Sequence, residues 1–132
     1  MKRTKEQKDS LGEIAIGYDS SLSSQDKVKE GGVKFDTGKP RYDLIPADSL
    51  HELAKLYTTG AAKYGDRNWE NGVSWGRIFG AMMRHSWAFW RGERFDPDDG
   101  QHHMASVAWG ALALISYDMR EIGDDDRPSR YN

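Results

Sequence analysis

The chain contains no cysteine, which excludes a disulfide framework, a thiolate nucleophile and a cysteine-ligated structural zinc. Any metal it binds must be held by oxygen and nitrogen. It also lacks an apolar run near the roughly 18 residues that a membrane-spanning helix requires, and its first residues, MKRTKEQKDS, are not followed by an apolar segment of the secretory type. Neither a membrane partner nor export is expected, and residence in the cytoplasm is the expectation. An excess of one charge is missing as well: 19 Lys and Arg face 21 Asp and Glu, a net charge of -2. Binding of duplex nucleic acid usually shows a clear basic excess, so no such partner is expected. A small anion, which needs only a local cluster of cations, is compatible. Phosphate-cradling and dinucleotide glycine motifs are absent, as is a serine in G-x-S-x-G. Water activated by a cation is therefore the economical route to hydrolysis.

With 37% hydrophobic and 30% charged residues among 132, the chain has room for one globular domain with flexible ends. Residues 1–30 mix Lys, Asp, Glu, Ser and Gln without a sustained period and predict a mobile arm, in which LGEIAIGY could form a strand or clasp a partner. The helical domain is expected over 31–120, opening on the Gly- and Pro-containing segment GGVKFDTGKPRYDLIP, and 121–132 is expected to fray.

A first helix is predicted over Ala47 to Tyr64, where Leu50, Leu53, Ala54, Tyr57, Ala61 and Tyr64 recur at steps of three and four. Pro46 or Asp48 can start it and Gly65 can end it. A second spans Trp75 to Arg91, with Trp75, Ile78, Phe79, Met82, Phe89 and Trp90 on its apolar side and Arg77, Arg84 and Arg91 sharing another face. A third is expected from Asp96 to Arg120, with Asp96 as N-cap, Pro97 at the first helical position, and Asp98 and Asp99 favouring the dipole. Its middle, MASVAWGALALIS, is apolar on nearly all sides and calls for cover on several faces. No strand pattern competes. The fold class is all-α, with three main helices completed by oligomerisation to a homodimer or homotetramer.

Between His85 and His103 stand seven oxygen or nitrogen ligand candidates, His85, Glu93, Asp96, Asp98, Asp99, His102 and His103. Carboxylates and imidazoles at a helix junction suit a divalent cation, Mg2+ or Mn2+, and such a cation is the usual answer to a phosphate-bearing substrate. Glu93 and Asp96 are the expected carboxylates; His85 lies two turns before the first and His103 two turns after the second. In an antiparallel hairpin of helices, groups at those offsets can approach one another. His103 shares a face with Val107, Gly110 and Leu114, whereas His102 and Asp99 belong to the start of the helix, and Asp98 is a possible helper. Lys39, Arg41, Lys63 and Arg84 are the cations expected to meet phosphate oxygens. Asn68 and Trp69 offer an amide and an aromatic surface to a nucleobase.

Four strings, KFDTGKPRYDLIP, GAAKYGDRNW, RHSWAFWRGERFD and DDGQHHMA, stand in this order from about Val33 to Tyr117. Together they resemble the N-terminal domain of phage and bacterial dATP/dGTP diphosphohydrolases, relatives of the MazG-like nucleotide pyrophosphohydrolases. The resemblance implies a MazG-like helical bundle, oligomeric and Mg2+-dependent, that cleaves a purine deoxynucleoside triphosphate to monophosphate and pyrophosphate. In the MazG pattern an E-x-x-E on one helix faces an E-x-x-D on the next. Glu93 and Asp96 match the second pair, but Glu52 is followed three residues later by Lys55, which leaves His85, His103 or Asp98 to stand in for the first. The leading expectation is thus a pyrophosphohydrolase with Glu93, Asp96 and His85 as catalytic groups and Glu93, Asp96, His103 and Asp98 as metal ligands. The runner-up, favoured by the missing pair, is a phage protein that binds or sequesters a purine nucleotide without cutting it.

Overall fold

Among the described residues there are three α-helices, α1 over Ala47–Tyr64, α2 over Trp75–Trp90 and α3 over His103–Arg120, with short 3-10 turns at Tyr42–Leu44 and Asn68–Asn71. The structure, a computed structural model, describes residues 31–129; the expected N-terminal arm, with LGEIAIGY, lies outside them. The chain divides between Ile45 and Pro46. In the first unit, Gly31 to Ile45 runs as irregular backbone into the 3-10 turn, closed by bonds such as Leu44 N–H to Arg41 O at 3.1 Å. The second unit holds all three α-helices. Among the described residues there is no β-strand, only isolated bridges at Ser74 with Asp124 and Phe95 with His102, so the fold is all-α. Among the described residues no helix is long and apolar enough to cross a membrane.

α3 is the common element, packing against both α2 and α1. Trp75, Ile78, Ala113 and Tyr117 form the buried cluster, with Trp69, Met82, Trp109, Leu114 and Ile122 packed around it. Close approach of α2 and α3 depends on Gly110, where an added Cβ would collide with Met82 and lie 3.3 Å from Ile78. Fully buried Tyr117 keeps its hydroxyl satisfied by donating to Trp69 O at 2.6 Å, as a buried phenol must. That bond pins the α1–α2 connection to the core. On the outside, Phe79, Trp87, Trp90, Ile115 and Met119 are all exposed.

Two sequence expectations are corrected. α3 starts at His103 rather than Asp96: His102 is its N-cap, its Nδ1 accepting from Met104 N–H at 3.0 Å. The DPDDG string forms a turn instead, because the Asp96 carboxylate accepts the Asp98 N–H at 2.9 Å and Gly100, at φ 74°, returns its N–H to Asp96 O at 2.7 Å. An aspartate that bonds two residues ahead and a left-handed glycine make a turn of what reads as a helix start. The second correction concerns the tail. Ile122 O accepts the Trp75 indole N–H at 3.0 Å, Asp124 O accepts Trp75 N–H at 2.9 Å, and the Asp126 carboxylate accepts Gly76 N–H at 2.7 Å. Residues expected to fray thus satisfy the open N–H groups of α2, with a negative charge at its positive end.

Candidate metal centre

The turn between α2 and α3 is a small hairpin. Asp96 N–H donates to Gln101 O at 2.8 Å and His103 N–H to Arg94 O at 3.1 Å, which brings the Asp96 side chain back over the ends of both helices. From α2 comes His85 and from α3 His103; their Nδ1 atoms are 2.8 Å apart, with ring centroids at 5.1 Å. Asp96 Oδ2 stands 3.9 Å from His85 Nδ1, and one ligand atom from each of the three residues falls within 4.8 Å of the others. This is the group that the fold assembles from the seven candidates.

Glu93 is placed differently. Its Oε1 lies 2.7 Å from His103 Nε2, the ring nitrogen facing away from His85. A carboxylate there accepts the Nε2–H, which leaves the His103 Nδ1 lone pair directed at His85 and Asp96. The His103 side chain is only 5% exposed, whereas that of Glu93 is half exposed. Asp98 contributes its backbone N–H to Asp96 while remaining exposed itself; Asp99 accepts the Gln101 N–H at 2.9 Å. Sequence reading had no signal for Thr59 on α1, whose hydroxyl accepts from the Gln101 amide at 3.0 Å and ties the hairpin to that helix.

Burial holds the His85 imidazole below the usual histidine range; the neighbouring His103 acts in the same direction, against Asp96 and Asp99. A neutral ring at pH 7 makes the 3.9 Å approach of Asp96 something other than an ion pair. With His103 Nδ1 the acceptor, the 2.8 Å contact is a hydrogen bond donated by His85 Nδ1–H, whose proton a metal ion would displace on binding. Two imidazole nitrogens and one carboxylate oxygen converge, one of the rings held from behind by a carboxylate, and this donor set fits a divalent ion with open positions for water or phosphate.

Beside the centre is a cavity of about 350 Å3 lined by Lys63, Tyr64, His85, Asp99, Ser106 and Trp109 among others. Lys63 has no ion-pair partner among the described residues, and its ammonium lies 5.1 Å from the Tyr64 ring centroid. A second cavity of about 570 Å3 shares Leu56, Gly60, Tyr64 and Trp109 with the first and extends to Asn68, Trp69 and Tyr57. The two are neighbours along one face of α1. Trp69 is held by Tyr117, with ring centroids 6.2 Å apart, and by Arg120. Arg84 lines a different cavity with Arg77, Gly76 and Gly80. Lys39 and Arg41 belong to the first unit, where the Arg41 guanidinium is engaged at two points by Asp43, at 2.8 and 2.7 Å.

The family model described as dATP/dGTP diphosphohydrolase, N-terminal, matches residues 29–127. The chain belongs to that family. A protein of Salmonella phage PMBT28 named dATP/dGTP diphosphohydrolase is 32% identical over 96 residues, 73% of this chain. The chain spans 33% of that relative's length. No solved structure matches. The matched span contains all three helices and both cavities.

Proposed function

We propose that this chain forms the site of a cytoplasmic, divalent-cation-dependent diphosphohydrolase that converts a purine deoxynucleoside triphosphate to monophosphate and pyrophosphate. The observation that carries the reading is the convergence of His85, Asp96 and His103 beside a cavity that also presents the Lys63 ammonium. Family membership and the phage relative's name supply the substrate class. The base would occupy the larger cavity, against Tyr64 and Trp69 with the Asn68 amide at its edge. The phosphates would run past Lys63, whose charge offsets theirs. Arg84 faces elsewhere and Arg41 is paired with Asp43, so Lys63 carries the neutralising role in this scheme.

In the reaction a water oxygen bonds to the α-phosphorus, the bond from that phosphorus to the oxygen bridging to the β-phosphate breaks, and pyrophosphate leaves. A bound Mg2+ or Mn2+ supplies Lewis acidity toward phosphate oxygens and water. The protein's part is placement: Asp96 is fixed by its turn, His103 by Glu93, and His85 by its position on α2. Enclosure of the phosphates between α1 and the hairpin would strengthen every charge contact made there.

Incubating the purified chain with each of the four dNTPs and Mg2+ or Mn2+ tests this, with products separated by ion-exchange chromatography. The expected outcome is dAMP from dATP and dGMP from dGTP, each with pyrophosphate, and no product in EDTA. Absence of turnover with recovery of intact purine nucleotide from the complex would overturn it in favour of a binding role. The proposal includes self-association through the exposed apolar residues of α2 and α3, such as Phe79, Trp87, Ile115 and Met119. Sedimentation equilibrium should give a dimer or tetramer mass; a monomer at micromolar concentration would refute that part.

A further inference from the structure

We infer that the centre of His85, Asp96 and His103 takes a first-row transition ion such as Mn2+ or Co2+ in preference to Mg2+, with Glu93 as the positioning residue for His103 and not a ligand. The inference rests on reading the hairpin as a cation centre and adds which cation it selects.

The first argument is the donor set. Mg2+ binds oxygen at near-octahedral geometry and gives up its water reluctantly, whereas imidazole nitrogen suits the later first-row ions. Two of the three convergent donors here are imidazole nitrogens. Asp96 adds a single oxygen: Oδ1 is occupied by the Asp98 N–H at 2.9 Å, which leaves Oδ2 on the His85 side. A site with one protein oxygen and two nitrogens is a poor Mg2+ cage.

Spacing is the second argument. Around an ion with ligand bonds of about 2.0–2.1 Å, neighbouring donors stand roughly 2.9–3.4 Å apart. The imidazole nitrogens stand 2.8 Å apart and His85 3.9 Å from Asp96, with all three ligand atoms within 4.8 Å of one another. His103 is buried, so the approach that closes the set falls to the half-buried His85 and Asp96 side chains.

The third is the support behind His103. A metal-bound histidine usually gives its other N–H to a carboxylate or carbonyl, which fixes the ring and raises its basicity. Glu93 occupies that position at 2.7 Å. Its own oxygens therefore serve the ring and stand on the opposite side of it from His85.

The test uses the full chain, stripped with EDTA, and needs no turnover. Calorimetric titration with MnCl2, CoCl2 and MgCl2 should show Co2+ binding tightest, Mn2+ next and Mg2+ weakest. In the Co2+ form, proton NMR should show paramagnetically shifted imidazole N–H resonances from two histidines, and from one in His85→Ala. Glu93→Ala should weaken Co2+ binding by about 10–100-fold, and Glu93→Gln, which keeps an acceptor for the His103 N–H, should recover part of that loss. Equal or tighter Mg2+ binding, or no shifted imidazole signals in a folded protein, would overturn the assignment. Loss in Glu93→Gln as complete as in Asp96→Ala would overturn the positioning role. Co2+ ligation without dNTP hydrolysis refutes only the proposed reaction; hydrolysis with Mg2+ and no imidazole ligation refutes only this inference.

Discussion

The two connections between helices look alike in sequence and behave oppositely in the fold. DRNWENGVS, between α1 and α2, and RGERFDPDDGQH, between α2 and α3, are both rich in charge, glycine and aromatics. In the first, the polar groups are spent on structure: Trp69 O receives the Tyr117 hydroxyl, and Arg67 pairs with Glu70 at 3.0 Å. In the second, cross-turn backbone bonds and one oxygen each of Asp96 and Asp99 close the turn, and Asp96 Oδ2 and the Glu93 carboxylate are left to face imidazoles. The difference lies in what remains after closure: the first connection spends its polar groups on the core and on each other, whereas the second keeps carboxylate oxygens facing the two rings.

The sharpest way to break that comparison is Asp96→Ala. It should abolish cation-dependent turnover of dATP and dGTP and shift urea-denaturation stability by no more than about 1 kcal/mol, since the lost Asx bond is exposed. A large loss of stability would show that Asp96 is mainly a fold residue. Tyr117→Phe is the converse. It leaves Trp69 O without its partner in the core and should cost about 1–3 kcal/mol in the same denaturation experiment, while Mn2+ affinity stays unchanged. A drop in Mn2+ affinity without a stability change would reverse the roles assigned to the two connections.

Much of the fold was legible because helix signals are local. Apolar spacing from Leu50 to Tyr64, with Pro46 before it and Gly65 after, delimits α1 as observed. The start of α3 was not legible, since D-P-D-D satisfies the cap and dipole rules of a helix start while the left-handed Gly100 and the Asp96–Gln101 bond, equally local, close a turn instead. The same error bears on the candidate site. Glu93 and Asp96 would share a face at i, i+3 only on a helix; on the hairpin that follows α2 they part, one behind His103 and the other beside His85. The approach of His85 to His103 was readable as an antiparallel offset, but the nitrogens used were not. Nothing in the acidic composition of EIGDDD announces that its backbone bonds to the start of α2.

That tail offers the next test, smaller in size. Asp126→Ala removes a carboxylate bonded to Gly76 N–H at the positive end of α2, where Ser74 supplies no side-chain cap. Loss of such a cap costs about 1 kcal/mol, and thermal denaturation should register it with no change in metal binding. An unchanged Tm would mean that water replaces the carboxylate at no cost.

The smallest effect expected is at Arg67, in the structural connection. It sits at φ 58° and ψ 22°, the left-handed region, where a residue with a Cβ gives up roughly 1–2 kcal/mol relative to the right-handed form. Glycine is free of that penalty but loses more chain entropy on folding, about 0.5–1 kcal/mol. The exposed pair with Glu70 contributes little, since surface ion pairs are worth about 0–1 kcal/mol, and Glu70 retains Arg120 at 3.5 Å. Relief of the backbone therefore wins by a narrow margin, and Arg67→Gly should raise stability by under about 1 kcal/mol. Because Arg67 also lines the larger cavity, the same variant separates its two possible roles: a gain in stability with an unchanged KM for dATP marks it as part of the brace, whereas a raised KM would place it at the nucleotide.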